Sequence, residues 1–157
     1  MTEHSGPLVD AVGGSEALRR LSSTFYDAVL ADPLLAPVFV DFTPAHVEHV
    51  AIWLAEVFNG PTGFTDSLGG HQALLRAHLG LSITEEQRLR WMELMTAAVE
   101  RELPADQLLR RRVMEYFDWG TQIARDVSAE PVGADLGDPG PTPRWGWNGL
   151  IRAEDRP

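Results

Sequence analysis

The stretch Gly69–Trp91, GGHQALLRAHLGLSITEEQRLRW, decides the reading of this 157-residue chain. It sets one histidine, His78, between a short apolar helix and the start of a long one. Leu74 lies one helical turn before His78 and Leu75 three residues before, so the imidazole leaves the chain on or beside an apolar face. A neutral imidazole there is either a core histidine with its polar atoms satisfied or a ligand to something large and apolar. Taken alone, the stretch favours the core histidine. Matching polar groups elsewhere, facing the same cavity, would reverse that.

Downstream, Gly80 turns the chain, and Thr84 with Gln87 predicts a capping box that opens a helix running to about Leu103. Trp91, Leu94, Met95 and Ala98 line one face of it. After Pro104 a last long helix carries Leu109, Val113, Tyr116, Phe117, Gly120, Ile123 and Val127 at helical period. Residues 128–157 change composition to Pro and Gly ahead of RWGWNGLI, which predicts a tail without regular structure. Trp145 and Trp147 are too apolar to leave loose and are expected to pin this tail onto the helical body or a second subunit.

Upstream, residues 61–70 read as a loop rich in turn residues, and 71–78 as the short helix. Thr43-Pro44 predicts a helix start and Asn59-Gly60-Pro61 its stop, with Val47, Val50, Leu54 and Val57 on the buried face. His46, one turn before Val50, leans toward the same side; His49 and Trp53 share the neighbouring strip. Leu18, Leu21, Phe25 and Leu30 mark an earlier helix, capped by Ser15 and ended by Asp32-Pro33, with Tyr26 beside its stripe. Pro7 to Val12 forms a short turn of helix before Gly13-Gly14. No stretch alternates as a strand, so the fold class is all-α, with helices crossing around one core.

Composition narrows the function. A formal charge of -10 repels phosphate backbones and anionic bilayers, which excludes nucleic acid and membrane surfaces as partners. The basic run Arg110-Arg111-Arg112 spreads around a helix and reads as solvated surface. With no cysteine, disulfides, thiolate metal sites, a cysteine nucleophile and covalently attached haem are excluded. The first ten residues carry no basic leader followed by an apolar run, so a cytoplasmic location is expected.

In order and spacing, Gly13-Gly14, Phe25-Tyr26, Pro37-Val38-Phe39, the LAEVFNGP run of residues 54–61, and His71 through His78 to Trp91 resemble a truncated haemoglobin of group II. The resemblance covers about residues 7–127. It implies a globin-like sandwich of two helices on two, with residues 1–127 as the globin domain and 128–157 as an added tail. It also implies haem b, held without covalent bonds by His78 as the iron ligand, with Trp91, Tyr26 and His46 on the opposite side. Counting forward from Phe39 instead of back from Gly60-Pro61 puts Val47 in the place of His46. Phe39 occupies a corner where relatives often carry tyrosine, and His49 a place near a haem propionate. Val50, Trp53, Leu54 and Leu74 are the further expected haem contacts, together with Arg76, Ile83 and Met95.

The implied function is reversible binding of O2, CO or NO, slowed in release by hydrogen bonds from Trp91 and Tyr26. NO detoxification or peroxidase-like chemistry would be side activities, and a reductase and a second copy of the chain are the expected partners. Two other readings stand beside it. One is a haem-free globin-like interaction or sensory module whose tail is the working surface. The other is a metal-dependent hydrolase built on His71 and His78, weakened by the absence of an acidic residue between them.

Overall fold

The computed structural model of the protein describes residues 4–152. Helix α1, Leu8–Ala11, leads through Gly13 and Gly14 into α2, Gly14–Leu30. A 3-10 turn at Ala36–Phe39 makes the corner before α3, Pro44–Val57. Then come α4, Gly63–Leu68, and α5, Gly70–Arg76, followed by α6, Glu85–Glu102, and α7, Gln107–Ser128. Helix α2 packs on α3 and on α6, and α6 on α7, which gives a sandwich of two helices on two. No helix among the described residues is long and apolar enough to cross a membrane.

The core follows the apolar stripes. Leu18, Leu21, Phe25 and Val29 of α2 meet Leu54 and Val57 of α3, Met95 and Val99 of α6, and Val113 and Phe117 of α7, all buried. Each fully buried aliphatic or phenyl side chain contributes about 1.5–3 kcal/mol relative to exposure. Polar groups fix the corners. Asp32, buried, accepts from the backbone N–H groups of Leu34 and Leu35, and Arg90 Nε reaches it at 2.6 Å. The Thr84–Gln87 capping box forms as expected, and Asp106 caps α7 through Leu108 and Leu109.

Several expectations need correction. Residues 61–70 are not wholly loop: α4 forms because Thr62 Oγ1 donates to Asp66 Oδ2 at 2.7 Å and Phe64 is buried, and Gly69, at φ 91°, ends it. Helix α5 stops at Arg76, short of His78; from there the backbone tightens into turns, His78 N–H to Leu75 O at 3.0 Å and Leu81 N–H to His78 O at 3.2 Å. Ser15 is not the cap of α2. Gly13, at φ 106°, holds that position, and an added Cβ there would lie 2.9 Å from the Ala17 Cβ.

The tail is not irregular throughout either. Strands β1, Arg144–Gly146, and β2, Gly149–Ile151, pair antiparallel with Gly146 opposite Gly149, leaving a two-residue connection at Trp147-Asn148. Trp145 is buried on the helical body. The three consecutive arginines do not all go to solvent. Arg110 donates to the carbonyls of Glu100, Leu103 and Pro104, and Arg112 to the Trp147 carbonyl and the Glu115 carboxylate.

Candidate functional site

Between α3, α5 and the facing sides of α6 and α7 lies a cavity of about 600 Å³, lined chiefly by apolar and aromatic side chains. That volume is in the range of sites that enclose a cofactor-sized ligand. His78 stands at one wall. Its Nδ1 lies 2.8 Å from the Leu74 carbonyl oxygen; a carbonyl can only accept, so the ring proton is on Nδ1 and the Nε2 lone pair is free at the cavity. Burial lowers the His78 pKa and the Leu74 bond opposes that shift; the net direction is down, toward the neutral ring.

Another wall carries an aromatic cluster. Tyr26 Oη and His46 Nε2 are hydrogen-bonded at 3.2 Å, with the two rings edge to face at 5.0 Å. Phe39 and Phe42 pack against Tyr26 at 5.6 and 5.2 Å. Burial raises the Tyr26 pKa, so the phenol keeps its proton. Burial first, then the imidazoles of His49 and His78, lower that of His46. Trp91 lines the cavity from α6, its indole braced by Phe25 at 4.7 Å and Phe117 at 5.3 Å.

The expected site residues divide. His78, Trp91, Tyr26, His46, Phe39, His49, Val50, Trp53, Leu74 and Ile83 come together on the cavity wall. Leu54, Arg76 and Met95 do not: Leu54 and Met95 are in the core behind the wall, and Arg76 ends α5 without lining the cavity. Of the two distal registers, His46 lines the cavity and Val47 does not.

Sequence reading overlooked several wall residues. Tyr116 and Trp119 of α7 face the cavity, and the Trp53 ring meets the buried Tyr116 ring edge to face at 6.1 Å. His71 lines it too. Its Nδ1 is sealed from solvent without a partner, and burial lowers its pKa. Because an orphaned N–H costs more than an orphaned lone pair, the ring proton belongs on Nε2. Arg88, buried, shares the wall; its guanidinium is held by Glu85 at 2.7 Å and Asp118 at 2.9 Å. The α7 stripe was the available signal for Tyr116, since a face already apolar at helical period continues through Trp119 and Gly120.

A cavity walled by apolar rings, with one neutral imidazole offering an unengaged Nε2, is what a flat apolar macrocycle with a single axial iron ligand requires. The model of the bacterial-like globin family matches residues 7–122. The chain belongs to that family. Its likeness is to the group II truncated haemoglobins: it is 32% identical over 87 residues to the group 2 truncated haemoglobin YjbI of Bacillus subtilis (strain 168), a match covering 55% of this chain and 65%, just under two thirds, of that relative. The solved group II truncated haemoglobin of Bacillus anthracis superposes with a TM-score of 0.69 at 25% identity, covering 78% of this chain and 92% of that one. The truncated oxygen-avid haemoglobin of Bacillus subtilis does so at 0.67 and 27%, covering 78% and 98%. As a truncated globin the chain is a haem-binding protein, and the wall of this cavity fits the group.

Proposed function

We propose that the chain binds haem b through His78 Nε2 and holds a diatomic ligand, O2 first among them, on the opposite side. The observation that carries this is the His78 Nδ1–H bond to the Leu74 carbonyl, which fixes the tautomer and aims the free lone pair into the cavity. Haem, when bound, supplies an iron whose open face takes the ligand. The residues do the rest. Val50, Trp53 and Ile83 exclude water, and Phe39 and Phe42 keep the Tyr26 ring in place.

Two donors serve a ligand that accumulates negative charge. The Trp91 indole N–H is one. The other is Tyr26: with the proton of His46 on Nε2, that nitrogen donates to the phenol oxygen and leaves the Tyr26 O–H for the ligand. A hydrogen bond to a partly charged acceptor contributes roughly 1.5–3 kcal/mol, or about one to two powers of ten in escape rate. Slow release follows, and the likeness to an oxygen-avid relative supports it.

The test is an absorption spectrum of the ferrous protein with and without carbon monoxide. A Soret band that shifts with carbon monoxide, and is altered in His78→Ala, is the expected result; a purified chain that takes up no haem overturns the reading. The alternative of a haem-free module with the tail as working surface is poorly served, because the Trp145 ring is 6% exposed and occupied by the body.

A further inference from the structure

The family match ends at residue 122, yet the chain continues across the haem side of the molecule. It leaves α7 by bonding the turn that follows His78: Gly80 N–H donates to Glu130 O at 2.8 Å and Ser82 N–H to Ser128 O at 2.9 Å. It then reaches the α3–α4 corner. There Thr142, 2% exposed, faces Thr65 Oγ1 at 3.4 Å, the hydroxyl that holds the Glu56 carboxylate, and Arg144 donates to Asn59 Oδ1 at 3.0 Å and to Gly60 O at 3.2 Å. Pro143 lines the cavity. Trp145 comes next, buried, with its ring 5.7 Å from both Tyr116 and Trp119, two members of the cavity wall.

The need for such a backing is visible in α5. Among its residues only Gly70 is buried, and it packs chiefly on α4, so the segment that presents His78 has little support of its own. In the aromatic wall, Trp119 and Trp53 are only partly buried; the Trp145 ring packs on both Tyr116 and Trp119, joining Phe58 and Phe117 around Tyr116.

We infer that residues 128–147 are a strap belonging to the haem site, and that Trp145 is its positioning residue, holding Tyr116 and Trp119 against the cofactor so that haem retention depends on chain outside the family domain. This rests on the haem reading. Trp145 does not touch the cavity itself; it acts through the two rings it backs. Removing its ring leaves a void behind them, and the wall relaxes only partly into such a void.

The experiment uses the full chain in wild-type, Trp145→Ala, Trp145→Phe and Thr142→Val forms. Haem loss from the ferric protein to an excess of an apo-globin acceptor is expected to be roughly tenfold faster in Trp145→Ala and nearer wild type in Trp145→Phe, the ring being restored. Thr142→Val, which keeps the volume and deletes the hydroxyl, should fall between them and serves if Trp145→Ala does not fold. In the apo chain, amide exchange of Thr65, whose N–H is held by Glu56 at 2.9 Å, is expected to quicken in Trp145→Ala and recover in Trp145→Phe. Unchanged haem loss in the variants overturns the inference. A wild-type chain that takes up no haem removes the functional reading, and the exchange arm then decides alone whether Trp145 fastens the strap at the α3–α4 corner: an unchanged rate overturns the strap.

Discussion

His78 Nδ1 lies 2.8 Å from the carbonyl oxygen of Leu74, one turn back along its own chain. That single bond sets the tautomer, orients the ring, and raises the basicity of the nitrogen left free. His78→Ala should therefore leave the fold intact, since His78 lies in a turn beyond the end of α5, and abolish axial ligation. Adding imidazole in solution should restore the spectrum of a histidine-ligated haem. A variant whose spectrum equals wild type without imidazole would remove His78 from the role.

Trp91 is set for a different task. Phe25 and Phe117 brace its ring from the core side, which leaves the indole committed to the cavity. Trp91→Phe keeps an aromatic ring and deletes the N–H, so oxygen dissociation followed by stopped flow should accelerate by roughly ten- to a hundredfold. An unchanged rate would leave slow release to Tyr26 alone.

The pairing of His46 with Tyr26 at 3.2 Å bears on resting coordination. A hydrogen bond to the phenol holds His46 at its wall, and burial keeps the imidazole neutral and therefore able to act as a ligand if released. Tyr26→Phe removes that hold. Its ferrous spectrum should gain a six-coordinate, bis-histidine component that His46→Leu, added to the same chain, eliminates. The wild-type protein should show less of that component than Tyr26→Phe.

The fold was largely legible because its periodic stripes are long: α2, α3, α6 and α7 each repeat apolar residues over several turns, and the Thr84–Gln87 box marked its own helix start. Short elements were not. Helix α4 depends on a Thr62–Asp66 side-chain bond and on burying Phe64, a tertiary event that six residues of sequence do not announce. The β1–β2 hairpin did leave a trace, Asn148-Gly149 beside alternating Trp145 and Trp147, overshadowed by the prolines and glycines around it. At the site, residues on apolar faces line the cavity where the face has one possible outlook. Met95 and Leu54 do not, because a stripe is wider than a cavity and the rearmost members of each stripe meet the core instead.

Glu56 supplies the clearest case of pH dependence. It is 1% exposed, and Thr65 donates to it from both backbone and hydroxyl, with Thr142 of the strap beside them. Burial alone would raise its pKa; the hydrogen bonds from Thr142 and Thr65 and the Arg144 charge together outweigh burial, and the net shift is downward. A depressed carboxyl contributes stability that is present above its unfolded pKa and is lost as pH falls through its folded value. The acid limb of an unfolding-versus-pH curve should accordingly be shallower in Glu56→Gln. At neutral pH the same variant should lose about 1–3 kcal/mol, the cost of weakening charge-assisted bonds in a site closed to water. Because the Thr142 hydroxyl faces, at 3.4 Å, the Thr65 hydroxyl that donates to Glu56, the loss should overlap with that of Thr142→Val: the double variant should be less destabilised than the sum of the two single changes, measured by urea unfolding. Full additivity would mean that the strap and the α3–α4 corner are not coupled through this carboxylate.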